Sequence, residues 1–77
     1  MVSFTQRTEQ LFAPLTVGSY FWWHGILYKI HEFGLRQYRV TVEAVSHHDP
    51  DKTISLLATQ LLDANLYSTV KEARGIK

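Results

Sequence analysis

The 77-residue chain predicts a mainly β fold, a single small domain of about five antiparallel strands. Three observations carry that expectation. From Val17 to Leu61 apolar and polar residues alternate with a period of two, β-branched and aromatic residues crowd the same stretch, and Gly or Asp-Pro signals divide it into short runs. Alternate side chains of a strand leave on opposite faces, so this combination marks successive strands joined by turns.

Residues 1–14 read as an extended N-terminal arm. Phe4, Leu11 and Phe12 are its large aromatic and leucine side chains, and Ala13-Pro14 stops a helix from running through because the residue before proline disfavours the α region. The domain itself spans residues 15–70 and opens on Leu15-Thr16-Val17-Gly18, while residues 71–77 form a C-terminal tail. The first strand is Tyr20-Phe21-Trp22-Trp23, closed by a tight turn at His24-Gly25, where Gly tolerates positive φ. In the second strand Ile26, Tyr28 and Ile30 share the inward face, and Leu27, Lys29, His31 and Phe33 the other, before Gly34 punctuates the run. In the third, Tyr38, Val40, Val42 and Ala44 point inward and Arg39, Thr41, Glu43 and Val45 outward. Tyr28, Ile30, Val40, Val42 and Ile54 are therefore the expected core.

Two readings of the segment after Asp49 stay open. As a strand, Thr53-Ile54-Ser55-Leu56 continues the meander with Ile54, Leu56 and Ala58 inward; a short helical turn near residues 60–64 and a last strand at Leu66–Val70 then follow. As a helix, Asp49 is the N-cap, Pro50 takes the first helical position, and Ile54, Leu57, Ala58, Leu61 and Leu62 form an apolar stripe. That alternative is α+β, a three-stranded meander plus a C-terminal helix over residues 50–70.

A domain this short buries only about 60% of the surface that its unfolded chain exposes, so its stability rests on dense packing or on a partner. Aromatic residues at 13% favour the first. Without cysteine the chain has no disulfides and no thiolate zinc site, which points to a reducing compartment. No window is apolar enough to span a bilayer, and Met1–Arg7 lacks an apolar signal core; the expectation is a cytoplasmic protein with no membrane association. Eight Lys and Arg against seven Asp and Glu give a net charge of +1, too balanced for a chain that binds nucleic acid by charge alone.

Leu15-Thr16-Val17-Gly18-Ser19 followed by Gly25-Ile26-Leu27-Tyr28-Lys29-Ile30 resembles the opening of SH3-like small barrels, in which a hydrophobic residue and a Gly turn precede a strand and a Gly-x-x-Tyr run. The pattern is similar to those of the N-terminal domain of translation elongation factor P and the C-terminal barrel of Mu-type transposases, and it covers Leu15 to about Leu61. The resemblance implies an SH3-like barrel, and says more about fold than activity. The elongation-factor domain carries a modified lysine in a basic loop. Here Phe33–Gln37 has no lysine, so that function does not transfer.

The aromatic run Tyr20, Phe21, Trp22 and Trp23 is the strongest binding signal. Alternation sends two rings to each face, and the outward pair is either available to a protein partner or a second copy of the chain, or covered by the N-terminal arm wrapping over it. The leading expectation is thus a non-catalytic interaction module. The alternative is a nucleic-acid-associated accessory protein using a basic and aromatic face of Lys29, Arg36, Tyr38 and Arg39. Glu32 and Glu43 interrupt that face, and ordinary cross-strand charge pairing explains it as well. His47, His48, Asp49 and Asp51 have the donor types of a metal site, but adjacent histidines in a strand diverge and no helical His-x-x-x-His spacing occurs; a solvated loop without metal is expected. His24, His31 and Glu32 are the acid and base groups near the aromatic strand. No nucleophile, phosphate-loop or dinucleotide motif accompanies them, so neither catalysis nor a cofactor is expected.

Overall fold

A computed structural model describes residues 4–12 and 15–75. Its centre is a four-stranded antiparallel meander in the order β1-β2-β3-β4: β1 Tyr20–Trp23, β2 Ile26–Arg36, β3 Arg39–Ser46 and β4 Thr53–Leu57. Helix α1 (Phe4–Leu11) precedes the sheet; a 3-10 turn at Ala58–Leu61 and a short helix α2 (Val70–Ala73) follow it.

The inner face carries the core. Phe21 stacks on Tyr28 across the β1–β2 pair with ring centroids 5.9 Å apart. Ile30, Val42, Ala44, Ala58, Leu61 and Leu15 join them, all buried, with Trp23, Val40, Ile54 and Leu56 half-buried around the rim. The expected core of Tyr28, Ile30 and Val42 is fully inside, whereas Val40 and Ile54 lie at its margin.

Two residues assigned outward in β2 are buried instead, for different reasons. A bulge shifts the β2–β3 register between Ile30 and Glu32, so that Ile30 faces Ala44 but Phe33 faces Val42. One extra residue inverts the parity of all that follows, and Phe33 enters the core. Leu27 keeps the outward parity, opposite Trp22, on the face where α2 packs against β1. It is buried there, outside the main core.

The turn between β2 and β3 also differs from expectation. Gly34 lies inside β2, paired with Thr41, and a Cβ at that position would sit 2.7 Å from Thr41 Oγ1. Its lack of a side chain serves cross-strand packing and not a turn. The chain reverses instead at Gln37-Tyr38, with φ of 51° and 66°, between the paired Arg36 and Arg39. Tyr38, read as the first inward residue of the third strand, is therefore 99% exposed at the hairpin tip.

The ends of the chain depart furthest from the sequence reading. Phe4–Leu11 of the expected extended arm is helical; Thr8 is buried and donates its hydroxyl to Phe4 O at 2.8 Å, and Glu9 Oε2 accepts the Val17 N–H at 2.9 Å. The second contact ties α1 to the strand entry. Ala13 and Pro14 lie outside the described residues, as do residues 1–3 and 76–77. A closed five-stranded barrel is not formed among the described residues. At the expected fifth strand only Tyr67 pairs, exchanging two backbone hydrogen bonds with Tyr20 at 2.7 and 2.9 Å. The helical turn falls at Ala58–Leu61 and not at 60–64. A meander followed by helix fits the element order, with four strands in place of three and a helix at Val70–Ala73 in place of one over 50–70.

Helix α2 takes up residues assigned to the tail. Its N-cap Thr69 accepts the Glu72 N–H on Oγ1 at 3.1 Å, and Glu72 Oε2 reaches back to the N–H and hydroxyl of Ser68. Gly75, at φ 74°, closes the other end and donates to Glu72 O. Capping at both ends lets so short a helix persist.

Candidate functional site

The aromatic strand is divided between the two faces of the sheet. Phe21 is fully buried, and Trp23 is half-buried against the core. Tyr20 and Trp22 point outward. Trp22 donates its indole N–H to Ala73 O at 2.8 Å, which fixes α2 over β1 and leaves the residue 42% exposed. Tyr20 has its backbone paired with Tyr67, Lys29 Nζ 5.7 Å from its ring centroid, and the His47 ring edge-on at 6.1 Å. The outward pair thus has intramolecular partners of its own.

The basic and aromatic set is split as well. Lys29 faces Tyr20, while Arg36, Tyr38 and Arg39 gather at the hairpin tip; the seven steps from Lys29 to Arg36 along an extended strand span roughly 23 Å. No single surface collects all four. At the tip, however, several features coincide. Arg36 and Arg39 are directly paired across the hairpin, an arrangement of like charges that costs stability. No acidic side chain pairs with either among the described residues. Leu35 beside them is 65% exposed.

The turn itself carries strain. The β1–β2 and β2–β3 turns each have two positive-φ residues, the mark of a type I′ loop, which favours Asn-Gly or a similar pair. The first places Gly25 at its second position, after His24. The second has Tyr38 there, and a bulky side chain in the left-handed region is uncommon and costly. Beneath the tip runs a groove of ≈ 380 Å³ lined by Phe12, Tyr38, Arg39, Val40, Leu57 and Thr59. It lies where β4 gives way to the 3-10 turn and β3 continues toward the hairpin.

The histidine loop is ordered by its own hydrogen bonds. Ser46 Oγ accepts from the His48 and Asp49 amides, Asp49 Oδ1 accepts from Asp51 N–H, and Lys52 N–H donates to Asp49 O. His47 meets Tyr20, and His48 Nε2 lies 3.3 Å from Arg74 Nη2. No cluster of three or more His, Asp or Glu arranged for a metal occurs among the described residues. His31 and Glu32 approach to 3.9 Å with both side chains well exposed, and His24 stands in the first turn, its ring against Trp23. No helix among the described residues is long and apolar enough to cross a membrane.

No protein-family model matches the chain, and no curated protein or solved structure matches it either.

Proposed function

We propose that the chain is a non-catalytic interaction module, and that it meets a protein partner through the end of the β2–β3 hairpin. One observation carries this reading: a tyrosine that is 99% exposed stands in left-handed backbone at the tip. The fold gains nothing from a ring there, since Gly or Asn at the same position would form the turn with less strain. Local strain that folding does not reward points to a functional site. Tyr and Arg are also the residues enriched where protein interfaces concentrate their binding energy.

The aromatic strand expected to make the contact is a weaker candidate in this geometry, because Phe21 and Trp23 serve the core and Trp22 holds α2. An SH3-like architecture remains our reading of the fold. The Tyr67 bridge, which lays a fifth backbone segment along the free side of β1, supports it.

Photocrosslinking tests the function. With p-benzoylphenylalanine at position 38, irradiation in nuclease-treated native lysate is expected to give a discrete adduct with another polypeptide. The same probe at Asp51, in the exposed histidine loop, should give little. A second copy of the chain in the adduct would assign the tip to self-association. Equal labelling from both positions, or an adduct that nuclease removes, would defeat the proposal.

A further inference from the structure

We infer that the hairpin end selects an acidic polypeptide segment carrying an apolar side chain, with the apolar group seated in the groove beneath Tyr38 and carboxylates on Arg36 and Arg39. This rests on the reading of the hairpin end as a protein contact surface. Charge complementarity chooses the occupant. The two guanidinium groups are exposed and placed opposite one another, while carboxylates on the neighbouring elements are engaged elsewhere: Glu9 by the Val17 amide, Glu32 beside His31, and Glu43 by the hydroxyls of Thr41 and Ser55. Arg–carboxylate pairs are strong, directional and frequently bidentate, so two arginines on one hairpin end suit a segment with two closely spaced acids.

The groove supplies the second requirement. Phe12, Val40 and Leu57 give it apolar walls, and Tyr38 and Arg39 form its polar margin. An apolar pocket with a few polar groups at the edge binds a hydrophobic anchor and orients it by the charges around it. A nucleic-acid strand suits this surface less well. It would find two cations instead of a continuous track, and a chain whose net charge is only +1.

Selection from a library of random dodecapeptides displayed on phage, against the immobilised full chain, tests the inference. Selected peptides would be synthesised and titrated against the parent, against an Arg36→Ala/Arg39→Ala variant and against Tyr38→Gly, each checked for native fold by its amide NMR spectrum. The expected result is enrichment of Asp or Glu flanking Leu, Ile or Phe, an affinity loss of at least tenfold in the double-alanine variant, and a comparable loss in Tyr38→Gly. Neutral or basic peptides that depend on Tyr38 but not on the arginines would overturn the acidic specificity and leave the contact surface standing. Binders independent of Tyr38, or none at all, would overturn both. Tighter binding of an eight-residue oligothymidylate that requires both arginines would overturn the inference in favour of nucleic acid.

Discussion

Val42→Asp is expected to be the most destabilising substitution in the sheet. Val42 is fully buried, paired with Phe33 on one side and Leu56 on the other, at the centre of the inner face. An aspartate there either buries an unpaired charge or takes up a proton to avoid it, and also gives up the apolar contacts of the valine. The cost is about 4 kcal/mol or more. A 77-residue domain has roughly 4–12 kcal/mol of stability in all, so the loss takes about a third or more of it, and the thermal midpoint followed by circular dichroism should fall by about 15–30 °C or the transition vanish. Val45→Asp, on the outer face of the same strand and opposite Lys29, gains a cross-strand partner and should cost about 1 kcal/mol. Similar melting of the two variants would contradict the observed register.

The second large effect is expected in the aromatic strand. Phe21 is the largest of the fully buried side chains and stacks on Tyr28; Phe21→Ala should cost about 3–5 kcal/mol through lost transfer energy and the cavity left behind. Its neighbour Trp22 faces the other way. Trp22→Ala removes one hydrogen bond to Ala73 and part of the cover over Leu27, so a loss of about 1–2 kcal/mol is expected, with faster amide exchange confined to α2. Chemical denaturation followed by hydrogen exchange separates the two. Equal destabilisation by both variants would mean that the strand does not divide its rings between a core face and a latch face.

These effects show what the sequence makes legible and where it stops. The runs at Tyr20–Trp23, Ile26–Phe33 and Tyr38–Val45 locate three strands, because period-two alternation is a direct imprint of the pleat, while Thr53–Leu56, readable as strand or as part of a helix, is the fourth. Alternation cannot reveal an inserted residue. The bulge near His31 therefore reverses Phe33 without a trace in local composition. Gly34 misleads for a related reason: glycine usually marks a turn, but here it clears space for Thr41 across the sheet. Gln37-Tyr38, a pair with no turn preference, takes the hairpin instead.

That displacement hid the candidate site. Tyr38 was legible as part of a basic and aromatic set with Arg36 and Arg39, but its placement in a strand directed the ring inward. The groove beside it is assembled from three separate stretches of the chain, at Phe12, at Val40 and at Leu57 and Thr59, and no local pattern brings them together. Helix α2 was recoverable. Thr69-x-x-Glu72 followed by Gly75 is a helix start and stop in the expected order, though four residues leave little apolar periodicity to draw attention to it.

The most direct test of the central claim, that Tyr38 is retained for a partner and not for the fold, is a single substitution read in two ways. Tyr38→Gly is expected to raise stability by about 1 kcal/mol, since glycine occupies the left-handed region without the steric cost of a Cβ. The same variant should lose the nuclease-resistant polypeptide adduct when the photoprobe is moved to neighbouring Gln37. More stable protein with less association is the predicted outcome. A stability loss, or unchanged adduct formation in a correctly folded Tyr38→Gly protein, would contradict it.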